Sequence, residues 1–291
     1  MTVYSVLRLN ETTGMGCADE RVSVGGRTYD TARKIRKLTD HVFVGYSGSI
    51  SFADGVTEDL PKNERGYDAL VNALAASYRG EWRGLFDREA VSNGTTWDEV
   101  KSLKDMNPRV KDRVLRGIEN LKRHVYTSFI LAGYDEGSKR FRINVIDEGG
   151  DHIVNPFAPV GSGSDQAHVA ISEYLHNMTP EERERIPLWK GARILMEATK
   201  KAWHNIGVGG RSQVVWASEK GISELGYRES NVLHNLLYLE SKRIFDQDHV
   251  DGVFCDVVER GAKAEDVLKA LEGKISTEVM IKLFFEESLH L

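Results

Sequence analysis

Met1 is followed by Thr2, which opens the run Val3-Tyr4-Ser5-Val6-Leu7-Arg8-Leu9. A small residue behind an initiator methionine allows an aminopeptidase to remove it. The chain then begins with a threonine that carries a hydroxyl and a free α-amine on one residue. Such an amine has an unperturbed pKa of about 7.7–8.0, close to the working range of a general base. Nucleophile and base are then the same amino acid, and no histidine is needed. Other chemistries find little support. The nine histidines include no His-x-x-x-His pair, and Cys17 and Cys255 stand far apart, so neither a metal nor another cofactor is expected. No Gly-x-Ser-x-Gly elbow occurs. Gly207-Val208-Gly209 is too short for a dinucleotide fingerprint and precedes a strand rather than a helix. Gly161-Ser162-Gly163-Ser164 could cradle a phosphate at a helix start, but it lacks the lysine and spacing of a nucleotide loop.

The bulk properties narrow the setting. With 291 residues, 41% of them hydrophobic and 29% charged, the chain can bury a sizeable core. A net charge of -5, with basic and acidic residues interspersed, argues against binding nucleic acid or an anionic membrane. Two distant cysteines fit a reducing compartment. No basic segment precedes an apolar stretch at the N-terminus, and no apolar run reaches the roughly 18 residues of a membrane span. The expectation is a cytoplasmic protein.

Thr2 depends for its placement on the strands and helices around it. Its own run has the β-branched and aromatic content of a strand. Gly14-Met15-Gly16-Cys17-Ala18 suits a crowded strand where backbones approach closely. Thr31 to Leu38 alternates as a strand, and His41 to Tyr46 reads as a buried one. Helical spacing follows at Tyr67, Leu70, Val71, Leu74 and Tyr78. Asn107-Pro108 starts a second helix, striped by Val110, Val114, Leu115, Ile118, Leu121 and Val125. The polar stretch of about 80–106 between them reads as an insertion or loop. Strands return at Thr127 to Tyr134 and Arg140 to Ile146. A helix begins near Asp165, a capping box stands at Thr179-Pro180-Glu181-Glu182, and a helix spans about Trp189 to Trp203. The strand Gln213 to Ala217 ends in a turn at Glu219-Lys220-Gly221. Helical patterns close the chain at Asn231 to Ile244, Lys263 to Leu271 and Thr277 to Leu289. Consecutive strands with grouped helices argue for sheet packed on sheet with outer helical layers, rather than alternating βαβ units.

In this order, a set of local matches resembles the proteasome β-type subunits, including the proteasome-like subunit of the bacterial two-component ATP-dependent protease, which are N-terminal-nucleophile hydrolases. The matches span roughly Thr2 to Gly221. Thr2 opens the first strand as the family's threonine does. Cys17-Ala18-Asp19-Glu20-Arg21 is similar to the family's carboxylate motif, with Asp19 the matching residue and Glu20 the second choice. Arg33-Lys34-Ile35-Arg36-Lys37-Leu38 is similar to the strand that carries its lysine, Lys34. Ser47-Gly48-Ser49, with Ala53-Asp54 downstream, puts Gly48 at the oxyanion position. Gly161-Ser162-Gly163-Ser164 matches the second-half signature, with Ser162 as the hydroxyl.

The resemblance implies an α+β fold, a four-layer α-β-β-α sandwich with mostly antiparallel sheets over residues 1–225. Residues 226–291 would form a C-terminal helical extension. It implies a threonine endopeptidase in which Lys34 stabilises alkoxide character on Thr2, Asp19 holds the ammonium, Gly48 N–H receives the oxyanion and Ser162 serves the α-amine. It implies polypeptide or peptide substrates, a homo-oligomeric ring and an unfolding ATPase as partner, with neither nucleic acid nor membrane involved. Two other readings share the scaffold: a catalytically silent structural subunit, and an amidase or peptide ligase. One departure stands out: Asn205 and Val208 occupy the places of a family aspartate and serine ahead of Gly209-Gly210.

Overall fold

The computed structural model describes residues 2–24, 27–30, 33–58, 60, 66–102, 107–204, 209–276 and 279. Strand β1 (Val3–Arg8) is the hub of the first sheet. Its alternation is two-sided: Val3 and Leu7 face one core, Tyr4 and Val6 another. The next strands are β2 (Gly14–Asp19), the hairpin β3 (Arg21–Val24) and β4 (Arg27–Asp30), and then β5 (Ile35–Lys37) and β6 (Val42–Ser47). Strands β7 (Ser128–Asp135), β8 (Arg140–Asp147), β9 (Gly150–Ile153) and β10 (Phe157–Gly161) follow the first helices, and β11 (Ser212–Ser218) and β12 (Gly221–Glu224) come late. One sheet runs β10-β1-β2-β11-β12 and the other β5-β6-β7-β8-β9, and every pairing is antiparallel.

The helices are α1 (Ile50–Glu58), α2 (Tyr67–Ser92), α3 (Trp97–Ser102), α4 (Pro108–Val125), α5 (Ser164–His176) and α6 (Pro180–Glu184), then α7 (Leu188–Lys201), α8 (Tyr227–Ser241), α9 (Gln247–Val258) and α10 (Ala264–Leu271). Three main cores separate these layers. Tyr4, Val6, Ala18, Val215 and Ala217 of the first sheet meet Phe43, Ile130, Phe141, Ile143 and Val145 of the second. Outside the first sheet, Val3, Leu7, Met15, Cys17 and Val214 pack against α5 and α7 to α10. Outside the second, Val42, Val44, Tyr46, Phe129 and Leu131 pack against α1 and α2. The fold is therefore α+β, with two antiparallel sheets and, among the described residues, ten α-helices. The stacking is compatible with a sandwich.

Tyr4 sits where the sheets touch. A Cβ on Gly45 of β6 would lie 2.4 Å from its ring, and one on Gly16 of β2 would lie 3.3 Å away. At Gly45 only glycine leaves room for the ring; at Gly16 an added carbon would meet Phe43 first, at 2.9 Å.

Several elements differ from expectation. Residues 80–106 are not an irregular insertion: α2 continues unbroken to Ser92, and Trp97–Ser102 forms α3. Tyr78, Trp82 and Phe86 meet at four-residue intervals, the first pair edge-on and the second tilted, with ring centroids 6.4 and 5.4 Å apart. Ala90, Val100, Val114 and Ile118 then make a small core joining α2, α3 and α4. The helix changes the neighbour it faces partway along, which hides its period among charges. Residues 103–106 lie outside the described residues. The strand expected at Thr31 to Leu38 is shorter, beginning at Ile35, and Thr31 and Ala32 lie outside the described residues. The expected turn at Gly221 begins β12, while α1 and α9 had no forecast. The asparagine cap at Asn107 and the capping box at Thr179 are present as read. The helical pattern at Thr277 to Leu289 lies, apart from Val279, outside the described residues. Among the described residues, no helix is long and apolar enough to cross a membrane.

Candidate active site

Sheet register brings the first group of residues together. Tyr4 stands opposite Ala18 and Val3 opposite Gly161, so one step further along each ladder reaches Asp19 and Ser162. The hydrogen bonds follow that geometry. Val3 N–H donates to Asp19 Oδ1 at 2.8 Å, and Thr2 N–H donates to Ser162 Oγ at 3.2 Å. Thr2 and Asp19 are buried, whereas Ser162 is exposed.

Lys34 arrives from the other sheet. It immediately precedes β5, and its side chain is 2% exposed. Its Nζ donates to Thr2 Oγ1 at 2.6 Å, to Asp19 Oδ1 at 3.0 Å and to the Arg21 carbonyl at 2.7 Å. Of the two carboxylates weighed from sequence, Asp19 is the one that meets the lysine. Burial pushes the Asp19 carboxyl above its ordinary value, while the Lys34 ammonium and the N–H groups of Val3 and Gly209 pull it back. The Gly209 bond, at 3.3 Å to Oδ2, ties the segment ahead of β11 to the same carboxylate. Asn205 and Val208 lie outside the described residues.

One glycine lies directly against Thr2, and a second follows the serine beside it. Gly161 has φ +104°, and a Cβ there would lie 2.1 Å from Thr2 O and 2.3 Å from Ser47 Oγ. Ser47 thus sits beside Thr2, and it brings Gly48, the next residue, to the edge of the site. Gly48 has φ +122°, and a Cβ on it would fall 2.1 Å from Tyr126 O. Both positions demand glycine on backbone and steric grounds alike.

Thr2, Asp19, Lys34 and Ser162 therefore converge through direct hydrogen bonds, with Gly48 adjoining through Ser47. Sequence reasoning missed Ser47, which stands in the Ser47-Gly48-Ser49 motif only as a neighbour of Gly48, and it missed Gly161 and Gln213. The signal for Gly161 was present in its glycine-rich run; no signal pointed to Gln213. Among the described residues, no group of three or more His, Cys, Asp or Glu is placed to hold a metal ion. The arrangement can keep a buried cation against a hydroxyl, which favours negative charge developing on that oxygen. No protein-family model matches this chain, and no curated protein matches it.

Proposed function

We propose that the chain is an N-terminal threonine peptidase, similar to proteasome β-type subunits and built on their four-layer α-β-β-α sandwich. The observation that carries this reading is the position of Lys34 Nζ, 2.6 Å from Thr2 Oγ1 while paired with buried Asp19. Removal of Met1 converts the Thr2 N–H into an amine. The bond with Ser162 then reverses, the hydroxyl donating to the amine lone pair.

The amine takes the Oγ1 proton as Oγ1 bonds to the substrate carbonyl carbon. Lys34 lowers the energy of the developing alkoxide, and the Gly48 N–H receives the carbonyl oxygen as it becomes an oxyanion, a contact worth about 3 kcal/mol in such sites. Collapse expels the amine half of the substrate, which takes the proton held by the α-amine. Water then attacks the Thr2 ester and gives its proton to the same amine; the bond between Oγ1 and the carbonyl carbon breaks, the amine returns that proton to Oγ1, and the acid half leaves. The reading carries with it polypeptide substrates, a cytoplasmic setting, a homo-oligomeric ring and an unfolding ATPase as partner.

The test compares wild type with Thr2→Ala on a peptide panel, with N-terminal sequencing of each. Turnover by wild type with a Thr2 start, and its loss by at least about 1,000-fold in the variant, supports the reading. Equal turnover by both removes Thr2 from the chemistry. Retention of Met1 in an inactive protein favours the silent subunit, and amide products formed with an added amine favour the ligase.

A further inference from the structure

We infer that Gln213 is a positioning residue for Lys34, holding the lysine's peptide so that its side chain points at Thr2. This inference rests on the threonine-nucleophile reading. Gln213 lies on β11, opposite Ala18 of β2, and is 5% exposed. Its Oε1 accepts the backbone N–H groups of both Lys34, at 3.1 Å, and Ile35, at 2.9 Å. Its Nε2 donates to the Ile35 carbonyl at 3.0 Å and to Glu224 Oε1 at 3.3 Å. The orientation of the amide is unambiguous: two N–H donors converge on one end, and a carbonyl and a carboxylate face the other.

Two successive N–H groups on one acceptor are not what a straight strand offers, because an extended chain sends them to opposite sides. Gln213 therefore holds a bend at the point where the chain enters β5. That strand is three residues long and pairs only with β6, an edge with little register of its own. A slip of one residue would turn every side chain to the other face, Lys34 included.

The peptide is fixed from both sheets at once. Lys34 O accepts the Tyr46 N–H of the second sheet at 3.3 Å, while Lys34 N–H is taken by Gln213 of the first. Glu224 of β12 completes the clamp, since it also receives the Arg33 guanidinium. A leucine at 213 would fill similar space without supplying any of the four hydrogen bonds.

The experiment uses the full-length chain as expressed and compares wild type, Gln213→Leu, Gln213→Glu and the pair Gln213→Glu with Glu224→Gln. Two readouts are taken: peptide kinetics, and competitive acetylation of Lys34 by acetic anhydride, read by mass spectrometry against exposed lysines. In Gln213→Leu, kcat falls about 100-fold, the scale of a 1 Å misplacement, with KM within about twofold. Lys34 acetylation rises about fivefold or more as local protection is lost. Gln213→Glu sets a carboxylate against both Glu224 and the Ile35 carbonyl and lowers kcat, and the Glu224→Gln partner change, which relieves the first of these, restores part of it.

The inference is overturned if either readout in Gln213→Leu stays at the wild-type level. If Gln213→Leu does not fold, the Gln213→Glu variant and the pair decide, and absence of rescue overturns the inference. If wild type shows no turnover, the threonine reading fails by itself, and Lys34 acetylation alone decides the role of Gln213.

Discussion

Asp19 Oδ1 accepts the backbone N–H of Val3 at 2.8 Å, one peptide beyond Thr2. The same oxygen takes Lys34 Nζ, so one carboxylate fixes both the strand that Thr2 leads into and the ammonium beside Thr2. Asp19→Asn keeps the shape and removes the charge, leaving a buried ammonium without its counter-ion. Burial already disfavours the ionised carboxylate in the folded chain, so the pairing is read in activity rather than in stability. The expected result is a fall in kcat/KM of about 100-fold. A variant as active as wild type would show that Asp19 does not hold the lysine for the chemistry.

Stability and activity have opposite slopes across the Asp19 titration. Its carboxyl is raised by burial, so the folded protein binds this proton more readily than the unfolded chain does. This group's contribution to stability therefore falls as pH rises from the ordinary carboxylate value through the raised one. On the proposed chemistry, activity needs the carboxylate and is expected to rise over the same window. The difference between wild type and Asp19→Asn in unfolding free energy, measured at several pH values, reads the first slope; kcat/KM against pH reads the second. Parallel slopes would contradict this account.

Gly161→Ala is expected to damage catalysis beyond its effect on stability. It carries the cost of a positive φ, about 1–2 kcal/mol, and drives a methyl group into Thr2 O. Gly150→Ala is the matched control, with φ +110° and nothing within 4 Å of the new carbon. Both variants should lose comparable stability from the backbone term, and Gly161→Ala should lose more through collision. Only Gly161→Ala should lose turnover, by about 100-fold.

His234 supplies an acid-sensitive element far along the chain. It is buried on α8, stacked on Trp203 with ring centroids 4.4 Å apart, and burial with nearby Lys200 pushes its imidazole down to about 3. A base depressed in the folded state contributes no penalty above its unfolded value of about 6.5, and it lowers stability as pH falls below that. Between pH 7 and pH 5 this amounts to about 2 kcal/mol. His234→Phe keeps a ring against Trp203 and should remove that portion of the acid loss, as read by guanidinium unfolding at both pH values.

Thr2, Asp19, Lys34 and Ser162 were legible because each sits in a short local pattern whose residue types suit one chemistry. The antiparallel ladders then carry them to one place. Gln213 was not legible. Its role depends on backbone N–H groups 178 and 179 residues away in sequence, and nothing about an isolated glutamine announces that. Ser47 became visible only through the collision a Cβ on Gly161 would make with it. The sheets could be read from apolar runs, since strands such as β6 are buried on both faces. The second half of α2 could not, because its apolar contacts shift from the sheet to α3 and α4. Helix α1, Ile-Ser-Phe-Ala-Asp-Gly-Val-Thr-Glu, buries only Phe52, Ala53 and Val56, too few to set a period.

The ring of Tyr4, seated over Gly16 and Gly45, acts as a dowel two residues behind Thr2. With the ring lodged there, the leading end of β1 has no freedom to creep along its own axis, and its reach is set by a count of residues. One extra residue between Thr2 and Tyr4 would push the hydroxyl outward by about 3.3 Å, further than the whole span now separating it from the ammonium. Spacing at the chain's head is thus as constrained as the identity of the residues that occupy it.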